Sequence, residues 1–141
     1  MQQFIVREYQ SEDLENVVSM DGRPSKRRKD QLKKVECLEA FYAFIAEQSR
    51  KIVGFIIMED LGDNVSHYML QINVAKKRSG IGKQLVGKVF TEIGGGGHVS
   101  LCVNTDNEEA IKFYESLGFK KSGFTDGYRK NQNKYWYQID L

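Results

Sequence analysis

A long strand that runs into a glycine turn and then into an amphipathic helix most constrains the fold of this chain. Residues 65–74 have the composition of a strand, and Gly80 and Gly82 follow in the basic turn "KKRSGIGK". Beyond the glycines, apolar residues recur every three or four positions as far as Ile93, which is typical of a helix that buries one face. This strand–turn–helix unit predicts a sheet that is covered by helices.

The basic glycine turn has the composition of a phosphate-binding loop. Glycine adopts positive φ and lets a ligand approach the backbone, and the free amides of a first helical turn attract anions. A P-loop would require glycine in place of Lys77 and a hydroxyl in place of Gln84, and a dinucleotide turn would require glycine in place of Leu85. On this stretch alone, a pyrophosphate-binding turn and a plain solvated turn both remain open.

The remaining pattern predicts the element order β α α β β β α β α β β. Apolar alternation and turn residues place the strands, and 3.6-residue periodicity places the helices. We expect strands at 4–9, 41–47, 52–59, 65–74 and 98–104, two further strands around a turn at 127–133, and helices after Ser11, before Leu38, at 81–93 and before Gly118.

Local signals predict how several helices begin and end. Ser11 is expected to cap the first helix, and Thr105 and Glu108 have the spacing of a capping box. Gly118 suits the left-handed position after a helix. The four glycines at 94–97 follow a helix, where the dipole end is negative, so we expect a flexible loop that does not bind phosphate.

Composition narrows the class of protein. The 141 residues carry a formal net charge of +2 and are 40% hydrophobic, so we expect one domain over 1–141. The N-terminus does not resemble a signal peptide, and no apolar run is long enough to cross a bilayer. Cys37 and Cys102 form neither a metal motif nor a redox motif. A reduced, cytoplasmic protein without a metal is the simplest interpretation.

The densest positive charge lies in residues 23–34. This stretch holds seven basic residues and one acid, Asp30. A solvated helix face is the ordinary interpretation, and a patch for a polyanionic substrate or partner is the alternative. The mild net charge of the whole chain makes nucleic acid an unfavoured partner.

Two motifs together resemble those of the GNAT superfamily of acyl-CoA-dependent N-acetyltransferases. "KKRSGIG" is similar to the family signature Gln/Arg-x-x-Gly-x-Gly/Ala, and "NEEAIKFYESLGF" at 107–119 is similar to Asn-x-x-Ala-x-x-Phe-Tyr-x-x-x-Gly-Phe. Lys77 stands where the family usually has Gln or Arg. Lysine keeps the charge but lacks the planar fork of arginine, so we expect a less sharply defined diphosphate site.

The resemblance implies an α/β (α+β) fold. Its central sheet would be mixed but mostly antiparallel, with about six or seven strands and helices on both faces. The strands at 65–74 and 98–104 would be central, parallel and splayed apart beyond a shared start. Acetyl-coenzyme A would be the acyl donor.

The resemblance also implies roles for individual residues. The pyrophosphate would bind the backbone N–H groups of residues 78–82, with Lys83 near. The pantetheine arm would run along the end of the long strand, and Asn107 would hydrogen-bond that arm. Tyr114 would act as the general acid near the thioester sulfur. The implied cofactor-binding residues are Ile72, Asn73, Val74, Lys77, Arg78, Ser79, Gly80, Ile81, Gly82, Lys83, Asn107 and Tyr114.

The expected reaction is direct transfer of an acetyl group to a primary amine in a ternary complex. The acceptor stays open among a protein amine, a small-molecule amine and an aminoacyl-tRNA, and a monomer and a homodimer are both compatible with the sequence. The rival hypothesis is an acyl-CoA-binding regulatory module without turnover. It is motivated by the long strand, where Gln71 stands and a carboxylate is absent.

The general base is open as well. His67, Glu47, Glu59 and a relaying water are the candidates, because imidazole and carboxylate groups can accept the amine proton. Cys102 has no evident base partner in the sequence, so it is interpreted as a small core residue.

Overall fold

The computed structural model describes residues 3–127 and 133–141, which build a seven-stranded sheet with the strand order β1-β2-β3-β4-β5-β7-β6. Every neighbouring pair is antiparallel except β4 and β5, which are parallel. This confirms the predicted fold class. The strands are β1 Ile5–Glu8, β2 Phe41–Gln48, β3 Lys51–Asp60, β4 Ser66–Val74, β5 His98–Asn104, β6 Lys120–Thr125 and β7 Lys134–Asp140.

Helices lie on both faces of the sheet, also as predicted. A 3₁₀ turn at Ser11–Asp13 leads into α1, and the helices are α1 Leu14–Val18, α2 Lys26–Cys37, α3 Ile81–Ile93 and α4 Glu108–Ser116. Part of the predicted last turn, residues 128–132, lies outside the described residues.

The two parallel strands separate soon after they meet. Pairing between β4 and β5 runs only from Ser66 with His98 to Tyr68 with Ser100, although both strands continue. The register with β3 also shifts near Ile57, because β4 holds one extra residue there, which is a β-bulge. The predicted splay is therefore confirmed, and it leaves one edge of the second half of β4 without a strand partner.

Each face of the sheet buries its own core, because successive strand residues point to opposite sides. The first core lies under α3 and α4 and the second under α1 and α2. Among the fully buried residues, the first core includes Ile56, Met58, Leu85, Val89 and Leu101, and the second includes Val17, Leu32, Ile45, Phe55 and Ile57.

Two glycines let α3 sit close to its neighbours. A Cβ at Gly54 on β3 would lie 2.8 Å from the Ile81 side chain, and a Cβ at Gly82 would lie 3.1 Å from Cζ of Phe113 on α4. A larger residue would push the first turn of α3 outward. The second glycine of the turn motif thus has a packing reason, since it meets the aromatic residue of the second motif.

Two of the predicted helix starts are wrong in detail. Ser11 begins the 3₁₀ turn, where Asp13 accepts a hydrogen bond from the amide of Gln10. Asn107, not Thr105, caps α4, because its Oδ1 accepts a hydrogen bond from the amide of Ala110 at 3.2 Å. The segment before α4 holds several residues that could cap it, and the path of the backbone decides that Asn107 does.

The end of α4 agrees with its prediction, whereas the glycine loop after α3 is more constrained than predicted. Gly118 has φ +98°, the left-handed conformation predicted for it. The loop at 94–97, predicted to be flexible, is tied to the chain end, because Gly96 donates to the carbonyl of Leu141 and Leu141 donates to the carbonyl of Gly97.

Candidate active site

A cleft of about 840 Å³ opens where β4 and β5 part. Its walls come from the second half of β4, the basic turn, the end of β5 and one face of α4. The splay creates it, since two strands that no longer pair leave a gap between them. Of the predicted cofactor-binding residues, the lining includes Ile72, Asn73, Val74, Lys77, Arg78, Ser79, Gly80, Gly82, Lys83, Asn107 and Tyr114.

Ile81 is the predicted residue that does not line the cleft. Its side chain is buried in the core under α3. Only its backbone belongs to the turn, where its amide makes a long hydrogen bond, 3.4 Å, to the hydroxyl of Ser79. A side-chain contact between Ile81 and a ligand in the cleft is therefore excluded.

The basic turn presents backbone amides at one end of the cleft. Arg78 and Gly80 have φ of +60° and +84°, which fold the chain back sharply before α3. The first helical hydrogen bond runs from the amide of Gln84 to the carbonyl of Gly80, so the amides of Gly82 and Lys83 lack a helical acceptor. With the helix dipole behind them, these groups favour an anion.

Lys77 makes an ion pair that joins the two motifs. Its Nζ lies 3.2 Å from Oε2 of Glu109 at the start of α4. Both side chains are largely exposed, so the pair stabilises the fold little. It does partly neutralise the charge that Lys77 was predicted to offer to a diphosphate.

The free edge of β4 faces the cleft with alternate backbone groups. The amide of Ala75 donates to the carbonyl of Val53 on β3, so Ile72 and Val74 direct their amides and carbonyls away from β3. The amide of Val74 is already bonded to Oδ1 of Asn73 at 2.9 Å. The amide of Ile72 is left as the donor at this edge.

A buried ion pair that sequence reasoning missed ties the loop after α1 to β4. Both terminal nitrogens of Arg28 lie 3.1 Å from the carboxylate of Asp21, and Nδ2 of Asn73 donates to the same carboxylate at 3.1 Å. Arg28 is buried and stacks over the ring of Phe55. Hydrogen bonds from Arg28, opposed by partial burial, lower the pKa of Asp21 to about 2. Asp21 therefore stays ionised and is a poor base.

The basic stretch at 23–34 is not one continuous surface patch. Arg28 is buried, Lys26 pairs with Asp30 on the exposed side of α2, and Arg27 lines the cleft. Arg27 is therefore the residue of this stretch that can contact a bound molecule there.

Tyr114 lies on the cleft wall formed by α4. It is only 9% exposed and packs between the rings of Phe113 and Phe119. Burial, helped by the charge that Cys102 can carry, raises the pKa of Tyr114 to about 12. Within the described ranges, its hydroxyl has no hydrogen-bond partner. At neutral pH it is a protonated, uncommitted donor.

The interpretation of Cys102 as a core residue is wrong. Its neighbours Leu101 and Val103 point into the core, and Cys102 points to the opposite face, where it is half-buried and lines the cleft. Its Sγ lies 3.1 Å from the hydroxyl of Tyr68 on β4. The alternation along "HVSLCVN" carried this signal, because Cys102 occupies a position out of phase with the buried residues.

The three side chains considered as bases all lie away from the cleft lining. His67 is buried in the sheet, with Nδ1 2.8 Å from the hydroxyl of Tyr42. Glu47 pairs with Arg7 at the far edge of the sheet, and Glu59 sits on β3 opposite Tyr68. None of them contributes to the cleft walls.

The sequence matches the model of a known protein family, which identifies the class of protein. Residues 39–121 match the family described as "Acetyltransferase (GNAT) domain", which is more than half of the chain. The chain therefore belongs to the GNAT acetyltransferase family, as the two motifs predicted.

Solved structures show the same fold. The ribosomal-protein-S18-alanine N-acetyltransferase of Escherichia coli is 21% identical, with a TM-score of 0.82 over 97% of this chain and 93% of that one. A putative streptothricin acetyltransferase of Bacillus anthracis, in complex with acetyl coenzyme A, is 19% identical, with a TM-score of 0.83 over 99% of both chains. At these identities the likeness concerns the fold alone.

One curated relative is nearer in sequence over a short segment. An uncharacterised protein of Mycobacterium leprae is 34% identical over 61 residues, which are 43% of this chain and 17% of that protein. The match thus spans less than a fifth of that relative's length.

The described residues hold neither a metal cluster nor a membrane-spanning helix. Over residues 3–127 and 133–141, no group of three or more His, Cys, Asp or Glu side chains is arranged to hold a metal ion. The same residues contain no helix of the length and apolarity that a membrane crossing needs.

Proposed function

We propose that this chain moves the acetyl group of acetyl-coenzyme A directly to a primary amine. The observation that carries the proposal is the cleft at the splay, which has an anion-binding helix start at one end and the uncommitted hydroxyl of Tyr114 on its wall. Acetyl-coenzyme A combines a diphosphate, an extended arm that can pair with a strand edge, and a thioester.

The residues at each part of the cleft fit such a donor. The amides of Gly82 and Lys83 and the cations of the turn suit a diphosphate. The free edge of β4 at Ile72 suits the amide groups of a pantetheine arm. Asn107 uses Oδ1 for its cap, so its amide nitrogen is left to donate to that arm. We propose the same cofactor-binding set as the sequence predicted, in which Ile81 contributes through its backbone.

Bound acetyl-coenzyme A supplies an activated acyl group and a thiolate leaving group. Tyr114, with a pKa of about 12, would give its proton to a thiolate whose conjugate thiol has a pKa of about 8.5, at a cost of about 5 kcal/mol. Hydrogen bonding to the leaving sulfur is therefore the better role for Tyr114 than full protonation. The amide of Ile72 is suited to stabilise the carbonyl oxygen that gains charge during attack.

The acceptor amine is the least constrained part of the proposal. The related structures carry names with different acceptors, a ribosomal-protein alanine in one and streptothricin in another. Arg27 at the cleft favours an acceptor that carries negative charge and disfavours a polycation. A protein amine, a small-molecule amine and an aminoacyl-tRNA stay as candidates.

The alternative is a module that binds acyl-coenzyme A without turnover. Glu109 is the single carboxylate among the described residues that line the cleft, and it is paired with Lys77. A broad panel of amines, which includes protein amines, small-molecule amines and aminoacyl-tRNA, separates the two functions, because the binding module would show cofactor binding and no acetylated product.

The first experiment is a thermal-shift panel with acetyl-coenzyme A, coenzyme A, ATP and NAD. A ligand at 100 times its Kd stabilises the folded state by about 2.7 kcal/mol, which raises the Tm of a chain this size by about 5 °C or more. We expect shifts with both coenzyme A species and smaller ones with ATP and NAD. Lys83→Gln should weaken the shift, and Lys88→Gln, on the same helix but outside the cleft, should not. No shift with either coenzyme A species would refute the proposal.

A further inference from the structure

An amine that attacks a thioester must lose a proton, and few groups of the cleft can accept one. Glu109 is held by Lys77 beside the basic turn. Asp21 is held by Arg28 and Asn73 and is not part of the lining. Among the described lining residues, this leaves cations, two tyrosines and one thiol as the titratable groups.

That thiol belongs to Cys102, at the point where the strands part. Ser100 is the last residue of β5 that pairs with β4, and Cys102 is the next residue on the same face of β5. Its Sγ and the Tyr68 hydroxyl are 3.1 Å apart, within hydrogen-bond distance for sulfur. The pair spans the gap at the head of the cleft.

A second polar side chain lines the same cleft. Tyr114 is nine-tenths buried, lines the cleft, and has no hydrogen-bond partner in the part of the chain that the structure describes. Cys102 lies near enough for its charge to act on the ionisation of Tyr114. The cleft therefore carries a thiol and a phenol from two different elements, and of these two the phenol is the one without a hydrogen-bond partner among the described residues.

We propose that Cys102 is the general base of this chain, and that Tyr68 is a positioning residue that holds its sulfur. The inference rests on the proposed function. The Cys102 thiolate takes one proton from the acceptor nitrogen and becomes a thiol. The nitrogen–carbon bond forms, the carbon–sulfur bond of the donor breaks, and the departing thiolate is stabilised by Tyr114. Cys102 then returns its proton to solvent.

Charged groups from several elements surround the Cys102–Tyr68 pair. Arg27 of α2 lies close enough to act on the Tyr68 hydroxyl, and Lys134 of β7 lines the cleft. Glu59 of β3 lies opposite Tyr68 and acts on that hydroxyl in the opposite sense. Burial raises the pKa of Tyr68, as it does that of Tyr114, so both phenols stay protonated at neutral pH. The Tyr68 hydroxyl can then donate to the Cys102 sulfur, and the Tyr114 hydroxyl is left for the departing thiolate.

The test compares two replacements of the sulfur. Cys102→Ser keeps a hydrogen-bonding group for Tyr68 but removes the sulfur that is proposed to accept the proton, so kcat/KM should fall about 100-fold, within the usual range for a general base. Cys102→Asp introduces a carboxylate and should restore at least tenfold of that loss, with the rising limb of the pH–rate profile moved to lower pH. Cys37→Ser, at the exposed cysteine, should match the wild type.

A second measurement does not depend on turnover. Alkylation by iodoacetamide, followed at each cysteine by mass spectrometry across pH, should give a Cys102 pKa equal to that of the rising limb. Acetyl-coenzyme A should protect Cys102 at least tenfold and leave Cys37 unprotected.

The possible failures are distinguishable. A wild type that acetylates no amine and shows no shift with coenzyme A refutes the proposed function, and the base assignment with it. A wild type that turns over while Cys102→Ser keeps its full rate, or keeps the pH profile unchanged, refutes the base assignment alone. If the wild type turns over but acetyl-coenzyme A does not protect Cys102 from alkylation, the base assignment alone is likewise refuted. Melting curves confirm that each variant is folded.

Discussion

Removing the hydroxyl of Tyr114 should separate catalysis from stability. In Tyr114→Phe the ring keeps its packing against Phe113 and Phe119. The lost hydroxyl has no partner among the described residues, so no group is left unsatisfied. We expect the free energy of unfolding to change by no more than about 0.5 kcal/mol, because only a lost partner carries the larger penalty.

Turnover should respond very differently. A hydrogen bond to a charged group contributes about 1.5–3 kcal/mol, and the leaving sulfur is charged only as the reaction proceeds. Since about 1.4 kcal/mol corresponds to tenfold in rate, kcat should fall about 10- to 100-fold while cofactor affinity changes little.

Tyr137 provides the matched control. It is fully buried, and its hydroxyl donates to Oε2 of Glu115 at 2.9 Å. Tyr137→Phe breaks that bond, so it should cost about 1–2 kcal/mol of stability and leave kcat within about twofold. Tyr114→Phe should therefore lower the rate and spare the stability, and Tyr137→Phe should lower the stability and spare the rate.

The assay is urea denaturation and steady-state acetylation on the same preparations, with cofactor affinity measured by titration. If Tyr114→Phe loses more than about 1 kcal/mol of stability, the hydroxyl makes a stabilising contact in the folded protein, which contradicts the prediction. If its kcat equals that of the wild type, Tyr114 does not contact the leaving group.

The other predictions concern packing and charge. Gly82→Ala should cost about 1 kcal/mol and weaken coenzyme A binding, because its Cβ would lie 3.1 Å from Phe113, and adding Phe113→Leu should recover the Tm. Arg28→Ala should cost about 3 kcal/mol or more in urea denaturation, since Asp21 loses its buried partner, whereas Arg27→Ala should stay within about 0.5 kcal/mol. The wild type should lose stability as pH falls from about 4 towards 2, because the folded-state pKa of Asp21 is about 2 and lies below its unfolded value; Arg28→Ala should lack that component, and an unchanged acid limb would contradict it.

Much of the architecture could be predicted from the sequence because it depends on local periodicity. The apolar spacing after Gly82 gave the bounds of α3, and "HVSLCVN" gave β5 at the positions that the structure shows. The turn glycines and the second motif predicted twelve cofactor-binding residues, and eleven of them line the cleft in the structure. Ile81 is the exception, because its helical phase turns its side chain into the core and leaves only its backbone in the turn.

Contacts between distant segments could not be predicted in this way. In the sequence, Arg28 is one of seven basic residues in a charged stretch, and nothing there distinguishes it from its exposed neighbours. In the structure, α2 packs on the sheet and buries Arg28 against Asp21 and Phe55. The imidazole of His67 could act as a general base, and His67 lies on β4 as predicted. The pairing of β4 with its neighbours, however, buries His67 within the sheet and away from the cleft.

The sequence by itself determined the element order, the glycine turn and the family, since these follow from spacing along the chain. Only the tertiary structure decided which groups meet at the cleft. Cys102 and Tyr68 are 34 positions apart, and they approach because two parallel strands share a start and then diverge. That divergence depends on the pairing of whole strands, so no short stretch of sequence encodes it.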